Sequence, residues 1–272
     1  MADELAEVIY SNSEINLIGM SILGDYAYML VQALISDDAT RIGQARDFAA
    51  RFDALYDRAG QNLTAEERKQ LNIDSIILTQ QFRQFVLDLL TVVLTKGFEV
   101  FFKPGVLNLM VNFANLHIFL INSFLEGRPP KYEPIDTELF WLPFFYTQSR
   151  YLADNIGYYA RPQRERAAEF SQILIEKYTF TIELKGLVRI GTDDFPIAKA
   201  HHMEVDNILR DYAEFLVSLL LSAQKNEIPG TLSLLFLDSS YRQLCIFSTE
   251  LAAFNKTVKP ACDPYARRFS LI

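Results

Sequence analysis

The chain has 272 residues, half of them apolar and 13% aromatic, which is enough to bury a sizeable core and argues against disorder. A net charge of −8, with no basic run longer than Arg267-Arg268, argues against nucleic acid as a partner, since a phosphate-tracking surface needs a basic stripe. Two cysteines, Cys245 and Cys262, form no CxxC pair and fit a reducing, cytoplasmic setting, with Cys245 read as a small core residue. The acidic start, Met-Ala-Asp-Glu-Leu-Ala-Glu, has neither the basic nor the apolar region of a signal peptide.

Helical punctuation dominates from the N-terminus onward. The spacing of Ile15, Ile18, Ile22, Tyr26, Met29, Leu30 and Ala33 predicts a helix starting near Ser13. Asp37 and Asp38 offer caps for a second helix carrying Ile42, Ala45, Phe48, Phe52 and Leu55. Thr64-Ala-Glu-Glu67 is a capping box for a third, which ends at a glycine, Gly97. Pro104 suits the first turn of a fourth helix that stops at Gly127. This fourth segment carries no charge from Pro104 to Leu125 and could be mistaken for a membrane span. However, Asn108, Asn112, Asn115 and Asn122 fall on one helical face, which predicts a bundle helix and no membrane partner.

Three prolines between Arg128 and Pro134 predict a stiff linker. The helical pattern then resumes. Asp136 is read as the cap of a fifth helix reaching Tyr158, Pro162 opens a sixth, Asp193 or Asp194 with Pro196 opens a seventh, and Pro229 precedes an eighth. The last eighteen residues read as an irregular tail. The halves echo each other in order: Gln44-Ala-Arg-Asp-Phe48 against Arg166-Ala-Ala-Glu-Phe170, Phe85-Val-Leu-Asp-Leu-Leu90 against Phe215-Leu-Val-Ser-Leu-Leu220, and Pro-Gly-Val-Leu at Pro104 against Pro-Gly-Thr-Leu at Pro229. The expectation is an all-α protein of two antiparallel four-helix bundles, one over residues 1–128 and one over 129–272.

Several segments carry a resemblance: Ile22-Leu-Gly-Asp-Tyr-Ala27, Asn108-Leu-Met-Val-Asn-Phe113 after Pro104, Phe140-Trp-Leu142, Leu237-Asp-Ser-Ser-Tyr-Arg-Gln-Leu-Cys245 and Cys262-Asp-Pro264. In order and spacing they resemble a bacterial family of unknown function built from tandem ferritin-like bundles, over nearly the whole chain. The resemblance implies His and Glu metal ligands at each bundle centre. Here those positions hold Tyr26, Leu109 and Phe113 in the first half and Gln148, Ser239 and Gln243 in the second, with Ala50 at a neighbouring position that can be Glu. Leu and Phe offer no lone pairs, and Gln and Ser cannot offset a divalent charge in a low-dielectric core. The expected cofactor is therefore none, with iron or manganese as the alternative.

The remaining polar candidates are few. His117 reads as a satisfied core histidine. His201, His202 and Glu204 form the best surviving ligand-like cluster, a weaker alternative for a metal. Asp25, Asp88, Asp154 and Asp238 read as caps or surface pairs, and the aromatic run Phe140–Tyr146 as a seam or an apolar ligand pocket. No GxSxG elbow, P-loop or GxGxxG fingerprint organises a reaction. The expected function is a non-enzymatic binding or interaction protein, engaging a protein partner or a second copy. The alternatives are an oxygen- or peroxide-handling carboxylate metalloprotein and a carrier of a small apolar ligand.

Overall fold

Local signals set most helix boundaries. In the computed structural model, which describes residues 9–34, 38–96, 102–190, 195–228 and 232–268, Ser11 opens α1 (Asn12–Ala33) with a reciprocal capping box to Glu14. Asp38 accepts from the Arg41 backbone N–H and opens α2 (Ala39–Ala59). Asp37, Gly97, Asp193, Asp194 and Pro229 lie outside the described residues. The Thr64–Glu67 box forms as expected and starts α3 (Ala65–Lys96). Pro104 occupies the first turn of α4 (Pro104–Leu125), which closes at Gly127 with φ +70° and a hydrogen bond from Arg128 N–H to the Ser123 carbonyl.

The fifth helix, α5 (Pro134–Asn155), starts at Pro134, and Asp136 sits inside its first turn instead of capping it. Proline fixes its own φ for the first turn and needs no donor there. Short 3-10 turns flank α6 (Arg161–Leu187), and α7 (Pro196–Gln224) and α8 (Leu234–Asn255) complete the set. The described residues thus form an all-α fold of eight α-helices.

The chain divides into two compact units at Pro130–Lys131. In the first, α1 packs on α2 and α4, and α3 packs on α4 and α2. In the second, α5 packs on α6 and α8, and α7 packs on α8 and α6. The same neighbour pattern therefore recurs in each unit. Residues 265–268 go with the first unit although they follow α8.

By length and composition, α3 and α4 are apolar enough to cross a membrane, with 33% and 56% of their most apolar windows buried. On α4 the apolar face Leu109, Phe113 and His117 points into the first unit, while Asn108, Asn115 and Asn122 are exposed and Asn112 is half-buried. The amide stripe thus marks the outer edge of that helix, where Asn115 accepts from Arg83 Nε at 2.5 Å.

The cysteine reading is corrected: Cys245 on α8 and Cys262 are joined in a disulfide. Their 17-residue separation carried no sequence signal, because pairing depends on where the chain returns after α8.

Candidate functional site

In the first unit, the positions where the resemblance implied ligands are filled by apolar and aromatic packing. Tyr26 on α1 meets Phe113 on α4 edge to face, with ring centroids 5.9 Å apart, and Leu109 is buried beside this layer. Ala50 is exposed and does not reach the interior. One turn along α4, His117 is fully buried, its Nε2 2.8 Å from Ser75 Oγ. Burial pulls the imidazole down to about 3, so the ring is neutral at ordinary pH. It fits only because Gly19 lacks a side chain: a Cβ there would stand 2.1 Å from His117 Nδ1.

In the second unit the expected polar centre is assembled. Gln148 Nε2 on α5 donates to Gln243 Oε1 on α8 at 3.0 Å, and Gln243 Nε2 donates to Ser239 Oγ at 3.1 Å. The chain is neutral throughout. Gln148 Oε1 is buried without a hydrogen bond, as are the Ser149 and Tyr212 hydroxyls. Burial pushes the Tyr212 phenol well up, and Ser149 lies close enough to offset part of that, although neither hydroxyl completes a bond of ordinary geometry. Around this chain, Trp141, Phe145 and Phe247 stack with interplanar angles of 13–27°. The buried aromatics of the Phe140–Tyr146 run therefore fill the unit's own interior.

A second polar group lies toward the N-terminal turns of α5 and α7, and sequence reasoning missed its central member. Glu138 is fully buried and meets both histidines: His202 Nδ1 is 2.6 Å from Oε1 and His201 Nε2 is 3.3 Å from Oε2. Thr181 on α6 joins them, with its Oγ 2.8 Å from His201 Nε2. Burial works to raise the Glu138 carboxyl, but the hydrogen bonds from His201 and His202 outweigh it and hold the group below the usual carboxylate range. An ionised Glu138 only accepts, so His202 Nδ1 carries the proton in that bond. His201 Nδ1 is buried without a partner, which favours the tautomer protonated at Nε2, since a bare lone pair costs less than a stranded N–H.

Glu204, grouped with the histidines from its spacing, is not part of this cluster. It is exposed and pairs with Lys177 Nζ at 2.6 Å. Helical spacing put Glu204 near His201, but burial chose the face that carries the two histidines. Glu138 lies 63 residues before His201 and had no local signal. Among the described residues, no set of three His, Cys, Asp or Glu side chains is arranged to hold a metal ion.

The recurring aspartates divide. Asp88 and Asp154 are exposed and pair locally with Gln84 and Arg150, as expected. Asp25 and Asp238 are instead fully buried ionic partners. Asp238 faces Arg242 at 2.9 Å within α8. Asp25 faces Arg268 Nε at 3.2 Å.

Comparison with known proteins adds the fold alone. No family model and no curated protein matches this chain. The crystal structure of an uncharacterized protein from Bacillus cereus G9241 is similar, with a TM-score of 0.89, 21% identity and 96% of each chain covered. The chain therefore shares its all-helical fold with that bacterial protein.

Proposed function

We propose that this is a non-enzymatic binding or interaction protein on a scaffold of two tandem ferritin-like four-helix bundles, without a working metal centre in either. The observation that carries this reading is the chemistry at the two centres. Tyr26 and Phe113 pack edge to face in one, and Gln148, Gln243 and Ser239 form a neutral hydrogen-bonded chain in the other. Neither set supplies the anionic oxygens and imidazoles that a divalent cation needs. Replacing a buried ionic group by apolar packing is often neutral or stabilising, so the scaffold tolerates the change. The partner that fits this reading is a protein or a second copy, neither nucleic acid nor a membrane.

The metalloprotein alternative has one cluster that comes nearest to a ligand set. Glu138, His201 and His202 bring a carboxylate and two imidazoles together in the second unit. Metal analysis of the full chain, expressed with added iron and manganese and then treated with a chelator, separates the two. Metal well below one equivalent, with a mass that rises with protein concentration, supports the interaction protein. About one or two retained equivalents that disappear in Glu138→Gln would establish the alternative and end the first reading.

A further inference from the structure

Beside the disulfide, a pocket of about 580 Å³ opens between α7, α8 and residues 256–262. That volume is within the range of small-molecule sites. Both cysteines line it, and they differ in access: Cys245 is buried in α8, whereas Cys262 is half-buried on the irregular segment. Lys256 and Lys259 also line the pocket, both exposed, and neither makes an ion pair among the described residues. Arg210 adds a third cation, but its charge is taken by the buried Asp206. The hydroxyl of Thr257 is buried there without a hydrogen-bond partner. The site therefore offers an excess of positive charge, one unused polar group and a disulfide in its wall.

We propose that this pocket takes a small thiol carrying carboxylate groups, which opens the Cys245–Cys262 bond by exchange at Cys262. The two lysines attract the carboxylates and raise the local concentration of the thiol. The incoming thiol loses its proton to water, because the thiolate is the nucleophile. Its sulfur attacks Cys262 Sγ and forms a mixed disulfide there. The Cys245–Cys262 bond breaks, its electron pair leaves on Cys245 Sγ, and that sulfur takes up a proton. The incoming sulfur is oxidised and Cys245 is reduced, so the step balances without a further oxidant.

Attack at Cys262 follows from access, since the buried Cys245 is shielded by its own helix. The exchange also has a structural consequence. The disulfide closes the loop that pins residues 256–262 to α8, and only Asp263 and Pro264 separate Cys262 from the docked segment beginning at Tyr265. Opening it restores the unfolded-state entropy that the cross-link removes and so lowers the stability of the second unit.

The test uses the air-oxidised full chain and two probes, reduced glutathione and the cationic thiol cysteamine, each normalised to its thiolate fraction. Intact mass and peptide mapping read the adduct. The proposal expects an adduct on Cys262 that forms about tenfold faster with glutathione than with cysteamine. In Lys256→Glu/Lys259→Glu that preference is lost or reversed while the circular dichroism stays unchanged, because both side chains are exposed. Equal rates for the two thiols, a preference that survives the double variant, an adduct on Cys245, or two free thiols in the oxidised protein would each overturn it.

Discussion

His117 shows how one missing side chain decides a core position. Its ring occupies the volume that any side chain at Gly19 would claim, and Ser75 supplies its hydrogen bond. Interiors are close-packed, so an inserted methyl cannot be absorbed without moving the ring or the helix. Gly19→Ala is expected to destabilise the first unit by about 1–3 kcal/mol, although alanine is the better helix former. Thermal unfolding followed by circular dichroism measures this, and an unchanged midpoint would mean that the ring is not seated against α1.

The segment 265–268 has no regular secondary structure, as expected, and is held on α1 and α2 by hydrogen bonds and ion pairs. Tyr56 Oη donates to the Tyr265 carbonyl at 2.7 Å, Ser21 Oγ donates to the Ala266 carbonyl at 3.1 Å, and Tyr265 Oη donates to Glu14 at 2.6 Å. Arg268 ends the segment. Its guanidinium grips Asp53 at 2.6 and 2.8 Å, reaches the fully buried Asp25, and lies 4.2 Å over the Tyr28 ring. Gly24 leaves the room, since a Cβ there would stand 2.8 Å from Arg268 Nη2. Arg268→Ala strips a cation from a carboxylate that has no access to water, at a cost of about 3 kcal/mol. Arg268→Lys is expected to recover little, because an ammonium cannot reproduce the fork or the stacking. Hydrogen exchange of α1 amides near Ser21–Asp25 reads both variants, and protection equal to the wild type in Arg268→Ala would refute the clasp.

Across the molecule, two buried ionisable groups make stability depend on pH in opposite directions. His117 titrates near 3 when folded and near 6.5 when unfolded. The unfolded chain therefore binds the extra proton, and the first unit loses stability as pH falls from 6.5 toward 3. Glu250, fully buried and accepting from Trp141 Nε1 at 2.7 Å, is pushed by burial up to about 8 from 4.5, an increase that the Trp141 hydrogen bond only partly opposes. Here the folded state holds the proton, so this contribution to the second unit is fully present below 4.5 and is lost as pH rises to 8. Trp141 is the chain's one tryptophan and reports on the second unit by itself. Its fluorescence in urea is expected to give a midpoint that falls between pH 4.5 and 8, by on the order of 2–4 kcal/mol in stability. Glu250→Gln should flatten that fall, and an equal decline in the variant would remove Glu250 as its cause. Glu138 adds an acid-side loss in the same unit, because its depressed carboxyl must be protonated as pH drops below the ordinary carboxylate range.

Local chemistry was enough to read eight helices and their order, because caps, first-turn prolines and the 3.6-residue period act within a turn or two of the residues that carry them. The Thr64–Glu67 box and the Gly127 stop formed as their residues dictate, and the Gln148, Ser239 and Gln243 positions came together as one polar chain. What stayed hidden were encounters between residues far apart in the chain: Glu138 with His201 and His202, Cys245 with Cys262, and Asp25 with Arg268 across 243 positions. None of these has a spacing that a helix imposes. Each follows from which face is buried and where the chain returns.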